Sequence, residues 1–171
     1  RQGITFKLSS KVTGVEISGN KLKATIEPAA GGAPEAIDAD VVLVSIGRVP
    51  FTEGLGLEEA GVKTDSKGRV IVDARYATNV PGIYAIGDCT GKLLLAHTAE
   101  AQGIVAAETI AGAETMPVNY DMIPRATYCQ PQIGSFGYSE QQAKDKGYDV
   151  KTAKFPFSAN GKAHGLGEAT G

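Results

Sequence analysis

Apolar and polar residues alternate through the first part of the chain. Ile4, Phe6 and Leu8 are spaced by polar positions, and Val12, Val15 and Ile17 carry a second apolar run. Leu22, Ala24 and Ile26 resume the alternation after Gly19-Asn20. A period of two interrupted by a turn dipeptide predicts an antiparallel hairpin or meander with one buried face. Residues 29–34 read as a loop of small residues. Residues 41–46, Val-Val-Leu-Val-Ser-Ile, are apolar on both faces, the pattern of a central parallel strand. Gly47 ends that run, and Pro50 disfavours helix just before it.

Beyond residue 50 the pattern changes repeatedly. Leu55, Leu57 and Glu58-Glu59-Ala60 predict a helix of one or two turns closed by Gly61. Asp65-Ser66-Lys67-Gly68 predicts a turn, and residues 69–73 a short strand. Pro81-Gly82 introduces residues 83–86, Ile-Tyr-Ala-Ile, a strand ending at Gly87-Asp88. The most regular helical pattern spans residues 94–110 and stops before Gly112. Its stripe of Ala96, Ala99, Gly103, Ala107 and Ile110 predicts a close approach to a neighbour, with Glu100 and Glu108 facing out. Residues 118–124 read as a linker and residues 133–138 as a strand. Ser139 followed by Gln142 makes a capping box for a helix that stops at Gly147. Residues 150–157 read as a strand, and residues 161–171 supply no closing element. The opening residues lack an initiator Met and a signal peptide's apolar centre. The chain is therefore expected to start and to stop inside a longer protein.

Composition narrows the function classes. The chain has 171 residues, with 42% apolar and 21% charged, an ordinary globular balance. Folded as one globule it would expose roughly 8,000 Å². Seventeen basic against nineteen acidic residues leave a net charge of −2. That gives no basic excess to grip nucleic acid. No apolar run reaches the roughly 18 residues of a membrane-spanning helix. Glycine is abundant, at 22 residues, without a triplet period, and signals tight turns and close backbone approaches. Cys89 and Cys129 lie too far apart in sequence for a metal knuckle or a local redox pair. They are expected to be reduced, buried thiols in a cytoplasmic protein. His97 and His164 have no partner pattern for a metal site. Gly54-Leu55-Gly56 and Gly165-Leu166-Gly167 do not lead from a strand into a long helix, so neither is a dinucleotide fingerprint.

The segment around Asp88 carries the most chemistry. A strand delivers a carboxylate at its carboxyl end, where open α/β sheets bind ligands. Gly87 leaves room for a ligand over the backbone, and an ionised Asp accepts hydrogen bonds from sugar or ribitol hydroxyls. The following helix could aim its free amides and positive end at the same place. Asp88 could equally do no more than cap its own turn, and spacing does not choose between the two. Gly47 has the same logic, with a plain turn glycine favoured by spacing.

Three stretches together resemble a known family: Val42-Leu43-Val44-Ser45-Ile46-Gly47-Arg48-Val49-Pro50, Pro81-Gly82-Ile83-Tyr84-Ala85-Ile86-Gly87-Asp88 and Leu95-Ala96-His97. Their order and spacing are similar to those of the dihydrolipoamide dehydrogenases, within the flavoprotein disulfide reductases. Residues 124–138 resemble the start of that family's dimerisation domain. The resemblance implies an α/β fold: pieces of FAD- and NAD(P)-binding Rossmann-like domains, then the start of an α+β dimerisation domain. It divides the chain into the end of an NAD-binding domain (1–50), a segment completing the FAD-binding domain (51–118) and the first part of the dimerisation domain (119–171).

It implies that Asp88 binds the ribitol of FAD and that Leu94, Leu95, Ala96 and His97 contact FAD mainly through backbone groups. Gly47 would contact NAD, and Val12 would lie by its adenine side. The implied activity is oxidation of protein-bound dihydrolipoamide, with electrons passing through a redox disulfide and FAD to NAD+. The implied partners are a second copy of the chain and the lipoyl domains of 2-oxoacid dehydrogenase complexes. The family's glycine fingerprints, paired redox cysteines and carboxyl-terminal His-Glu pair have no counterpart in these residues, so no catalytic residue is named and the chain alone is expected to be inactive. Two alternatives remain: a sister reductase acting on mercuric ion or glutathione, and a non-catalytic association module.

Overall fold

The computed structural model describes residues 3–170, and they divide between Arg48 and Val49 into two compact units. In the first unit, β1 (Ser10–Ser18), β2 (Lys21–Pro28) and β3 (Glu35–Ala39) form an antiparallel meander in the order β1-β2-β3. The predicted Gly19-Asn20 turn joins β1 to β2, with Ser18 opposite Lys21 and Gly19 at φ +62°. A bulge interrupts the register between Val12 and Gly14, as extra residues in one strand do. β3 was not foreseen, because Glu35 and Asp38 break its apolar pattern.

Three expectations for this unit fail. Residues 4–8 contribute no strand. The meander's buried face is reduced to Ala24, and every residue of β1 is exposed. Residues 41–46 run without strand pairing, with Leu43 84% and Ile46 94% exposed. Sequence can mark a segment as fit for a sheet interior, but a strand exists only through its neighbours. No described segment pairs with residues 41–46 as a strand.

The second unit holds a small core of Tyr76, Val105 and Ala106, with Val72, Tyr84 and Val118 packed against it. Helix α1 (Ala96–Ile110) supplies the central wall. It matches the predicted helix to within two residues at its start, but its buried stripe is rotated. Thr98, Gln102, Val105 and Ala106 are buried, while Ala96, Ala107 and Ile110 of the predicted stripe are exposed and Glu108 is half-buried. Ala99 and Gly103 do make the close approach foreseen. A Cβ added at Gly103 would lie 3.3 Å from Ile86 Cδ1, and one added at Gly87 would lie 3.4 Å from Ala99 Cβ.

The flanking segments are less regular than predicted. Residues 54–61 form turns rather than a helix. Gly61, at φ +71°, closes them as foreseen, with Val62 N–H bonded to Leu57 O and Gly61 N–H to Glu58 O. The predicted strands at 69–73 and 83–86 reduce to single bridges, Thr64 to Val70 and Ala77 to Tyr84. The linker at 118–124 contains a 3-10 turn, Tyr120–Met122, and Val118 joins the core.

Toward the end, β4 (Arg125–Thr127) pairs with β5 (Ile133–Ser135). Helix α2 (Glu140–Asp145) carries the predicted capping box between Ser139 and Gln142, and Gly147 follows at φ +85°. Residues 150–157 form no strand. A short helix, α3 (Gly161–Gly165), capped by Asn160, occupies the region predicted to lack an element.

Candidate functional site

Asp88 lies in a 3-10 turn, Gly87–Thr90, that packs against α1. The turn is held from several sides. Thr90 Oγ1 donates to Gly87 O at 2.8 Å, Gly91 N–H to Asp88 O at 3.0 Å, and Val70 N–H to Cys89 O at 2.9 Å. Cys89 Sγ donates to Ile86 O at 3.1 Å, and burial pushes its thiol above the ordinary range. The Asp88 residue itself is exposed. Gly87 sits at φ +75° with α1 against it, so a side chain there would meet both backbone strain and Ala99.

The approach to α1 is tightly bent. Leu93 takes φ +44°, and Leu95 N–H bonds back to Leu93 O at 2.7 Å. Leu95 then occupies the helix cap with no side-chain hydrogen bond to the first turn. Thr98 N–H turns back to Leu95 O at 3.1 Å, and no side-chain cap meets the Ala96 and His97 amides at the positive end of α1. Leu94 and Leu95 are half-buried, and Ala96 and His97 are exposed. The His97 ring donates from Nε2 to Pro124 O at 2.9 Å, which fixes that nitrogen as the protonated one. Thr98 is fully buried, and its hydroxyl has no hydrogen-bond partner among the described residues.

Five predicted site residues, Asp88, Leu94, Leu95, Ala96 and His97, thus gather at one corner of the second unit. Val12 and Gly47 belong to the first unit. Val12 is 59% exposed on β1 opposite Ile26, beside the bulge. Gly47 is exposed at φ +105°, and a Cβ there would meet nothing within 4 Å. Its geometry demands glycine for the backbone, and the described residues show no crowding. The thiols correct another expectation: Cys89 is half-buried and Cys129 exposed, and both are free. No group of three or more His, Cys, Asp or Glu suited to a metal occurs among the described residues.

Sequence reading missed a buried polar group behind this corner. Gln102 is fully buried. Its Oε1 accepts Gly87 N–H at 2.6 Å, and its Nε2 donates to Tyr120 Oη at 3.1 Å. Tyr120 and Tyr76 share a hydrogen bond at 2.9 Å between their hydroxyls. Tyr76 is 1% exposed, and burial together with that bond pushes its hydroxyl well above the ordinary tyrosine range. Polarity at Thr98 and Gln102, four residues apart, imitates a solvated helix face, which is why the stripe was misplaced. The available signal was the row Thr98, Gln102, Val105, Thr109, which shares one side of a helix.

Comparison with known proteins extends the picture. Residues 1–103 match the family described as pyridine nucleotide-disulphide oxidoreductase, and residues 123–171 match that family's dimerisation domain. The mitochondrial dihydrolipoyl dehydrogenase of Pisum sativum is 47% identical over 171 residues, covering 100% of this chain and 34% of the relative. Dihydrolipoyl dehydrogenase of Mycobacterium tuberculosis (strain ATCC 25618 / H37Rv) is 49% identical over 170 residues, covering 99% and 36%. The leghemoglobin reductase of Glycine max is 47% identical, covering 100% and 32%. The chain spans about a third of the length of these curated relatives. Among solved structures, LpdA of Mycobacterium tuberculosis superposes with a TM-score of 0.81 at 28% identity, over 94% of this chain and 34% of that one. The HOCl-induced flavoprotein disulfide reductase RclA of Escherichia coli shares the fold, with a TM-score of 0.80 at 24% identity over 94% and 36%. With its mixed α/β fold and a family match over residues 1–103, this chain belongs to the pyridine nucleotide-disulphide oxidoreductases.

Proposed function

We propose that the chain is a segment of a flavin-dependent dihydrolipoamide dehydrogenase, and that its second unit completes the FAD site. The observation that carries this reading is the corner itself. An acidic turn, held by at least four hydrogen bonds, packs beside a helix start that no side chain caps. A bound flavin would supply two-electron exchange between a dithiol and NAD+: the dithiol loses two electrons and two protons, NAD+ gains a hydride, and one proton is released. The chain's own residues bind and orient. The Asp88 carboxylate would accept a hydrogen bond from a ribitol hydroxyl, and Leu94, Leu95, Ala96 and His97 would contact the flavin mainly through backbone groups. Gly47 and Val12 are assigned to the NAD side on the family resemblance.

The dimerisation-domain match over residues 123–171 supports a homodimer of the longer protein. Lipoyl domains of 2-oxoacid dehydrogenase complexes are its proposed protein substrates, after the dihydrolipoyl dehydrogenases it resembles. Two unpaired thiols fit a reducing, cytoplasmic setting. The test is purification of the full-length protein. It should carry FAD and reduce NAD+ with dihydrolipoamide, whereas residues 1–171 alone should show no turnover, since neither cysteine belongs to a redox pair. A flavin-free full-length protein, or turnover by the isolated chain, would overturn the proposal.

A further inference from the structure

Gly87 N–H can only donate, so the atom of Gln102 that faces it must be the carbonyl Oε1, and the amide nitrogen is turned toward Tyr120. One buried side chain therefore joins three separate parts of the second unit: the turn that carries Asp88, helix α1, and the Tyr120–Met122 turn that leads into β4. Tyr76 anchors the far end through the Tyr120 hydroxyl at 2.9 Å. Tyr76 is itself buried and held at φ +66°. Lys92, from the loop between the acidic turn and α1, places its ammonium 5.9 Å from the centre of the Tyr120 ring. Tyr120 thus touches the corner by two routes.

We propose that Gln102 is a positioning residue that sets the Gly87–Asp88 backbone for flavin binding, and that Tyr120 transmits the placement of the segment entering the dimerisation region to that backbone. The inference rests on the FAD reading above. Its chemistry makes a directional claim. Gln102 donates into the Tyr120 oxygen, while either tyrosine can donate across the Tyr76–Tyr120 bond. A carboxylate at 102 would still accept Gly87 N–H and would also accept the Tyr120 proton, with Tyr76 donating in turn. Every member then stays bonded, with the direction of the bond between residue 102 and Tyr120 reversed. An aliphatic side chain strands both Gly87 N–H and the Tyr120 hydroxyl.

The experiment measures FAD dissociation constants and NAD+ affinity for full-length protein carrying Gln102→Leu, Gln102→Glu, Tyr120→Phe, Gln102→Leu with Tyr120→Phe, and Asp88→Ala. Gln102→Leu should weaken FAD about tenfold, the scale of a lost buried hydrogen bond, with NAD+ affinity unchanged. Gln102→Glu should restore binding to within about threefold of the parent. Tyr120→Phe should weaken FAD alone by about threefold to fivefold and should add nothing in the Gln102→Leu background. Unchanged FAD binding in Tyr120→Phe, or an equal loss in both backgrounds, overturns the coupling. A loss of FAD in Gln102→Glu as large as in Gln102→Leu overturns the positioning role. If Gln102→Leu does not fold, the Glu and Phe variants decide the matter: Glu retained and Phe weakened supports it, and any other pattern overturns it. Asp88→Ala separates the two levels. If it leaves FAD binding unchanged, the FAD reading itself fails. If it weakens FAD while Tyr120→Phe does not, only the coupling fails.

Discussion

Thr98 and Asp65 show how far a single side chain departs from its surroundings. The Thr98 hydroxyl is buried without a hydrogen-bond partner among the described residues, so it has lost water and gained nothing. Valine has nearly the same shape without the polar atom. Thr98→Val should stabilise the flavin-free protein by about 1 kcal/mol, read as a higher denaturant midpoint; a lower midpoint would show that the hydroxyl has a partner. Asp65 is the opposite case. Its carboxylate accepts Lys67 N–H at 2.8 Å and Arg69 N–H at 3.0 Å. Those backbone bonds hold its pKa below the usual 3.8. A depressed folded pKa means that the turn's support is present above the unfolded pKa and is lost as pH falls through the lower, folded one. Carbon-detected NMR titration of the Asp65 carboxyl should give a midpoint below 3.8; a midpoint at or above it would contradict the assigned bonds.

Elements differ in how much of them the sequence reveals, and the difference follows from what each one needs. The β1–β2 hairpin, α1 and α2 were legible because their instructions are local: a turn dipeptide, a helical period, a capping box. Ser139 and Gln142 make both reciprocal bonds, at 3.3 Å and 3.0 Å. Ser139→Ala should cost about 1 kcal/mol and speed amide exchange across α2 while leaving α1 protected; equal exchange in both proteins would mean that the cap contributes nothing. Residues 41–46 and 83–86 were read correctly as apolar but wrongly as strands, because pairing is not local. The site divides the same way. Asp88 and the start of α1 became candidates through the family resemblance of their motifs, whereas nothing in the sequence singled out Gln102 and Tyr120. They are joined by a hydrogen bond across 18 residues, and a polar side chain inside a helix reads as surface until its partner is placed.

At the scale of the whole molecule, the exposed apolar residues carry the argument. Val41, Leu43, Val44, Ile46, Val49 and Phe51 are each at least 75% exposed, whereas apolar patches of that kind are normally covered. The chain also spans about a third of its curated relatives. Both fit a segment whose partners lie in the rest of a longer reductase. On that account the Asp88 turn serves the flavin, and the first unit serves the nicotinamide nucleotide. The most direct measurement is therefore the affinity of full-length Asp88→Ala protein for each cofactor. One hydrogen bond from a carboxylate to a ribitol hydroxyl is worth about 1.5–3 kcal/mol, or roughly 10- to 150-fold. The account predicts a loss of that size for FAD with NAD+ binding retained in folded protein. Unchanged FAD affinity, or a loss confined to NAD+, would contradict it.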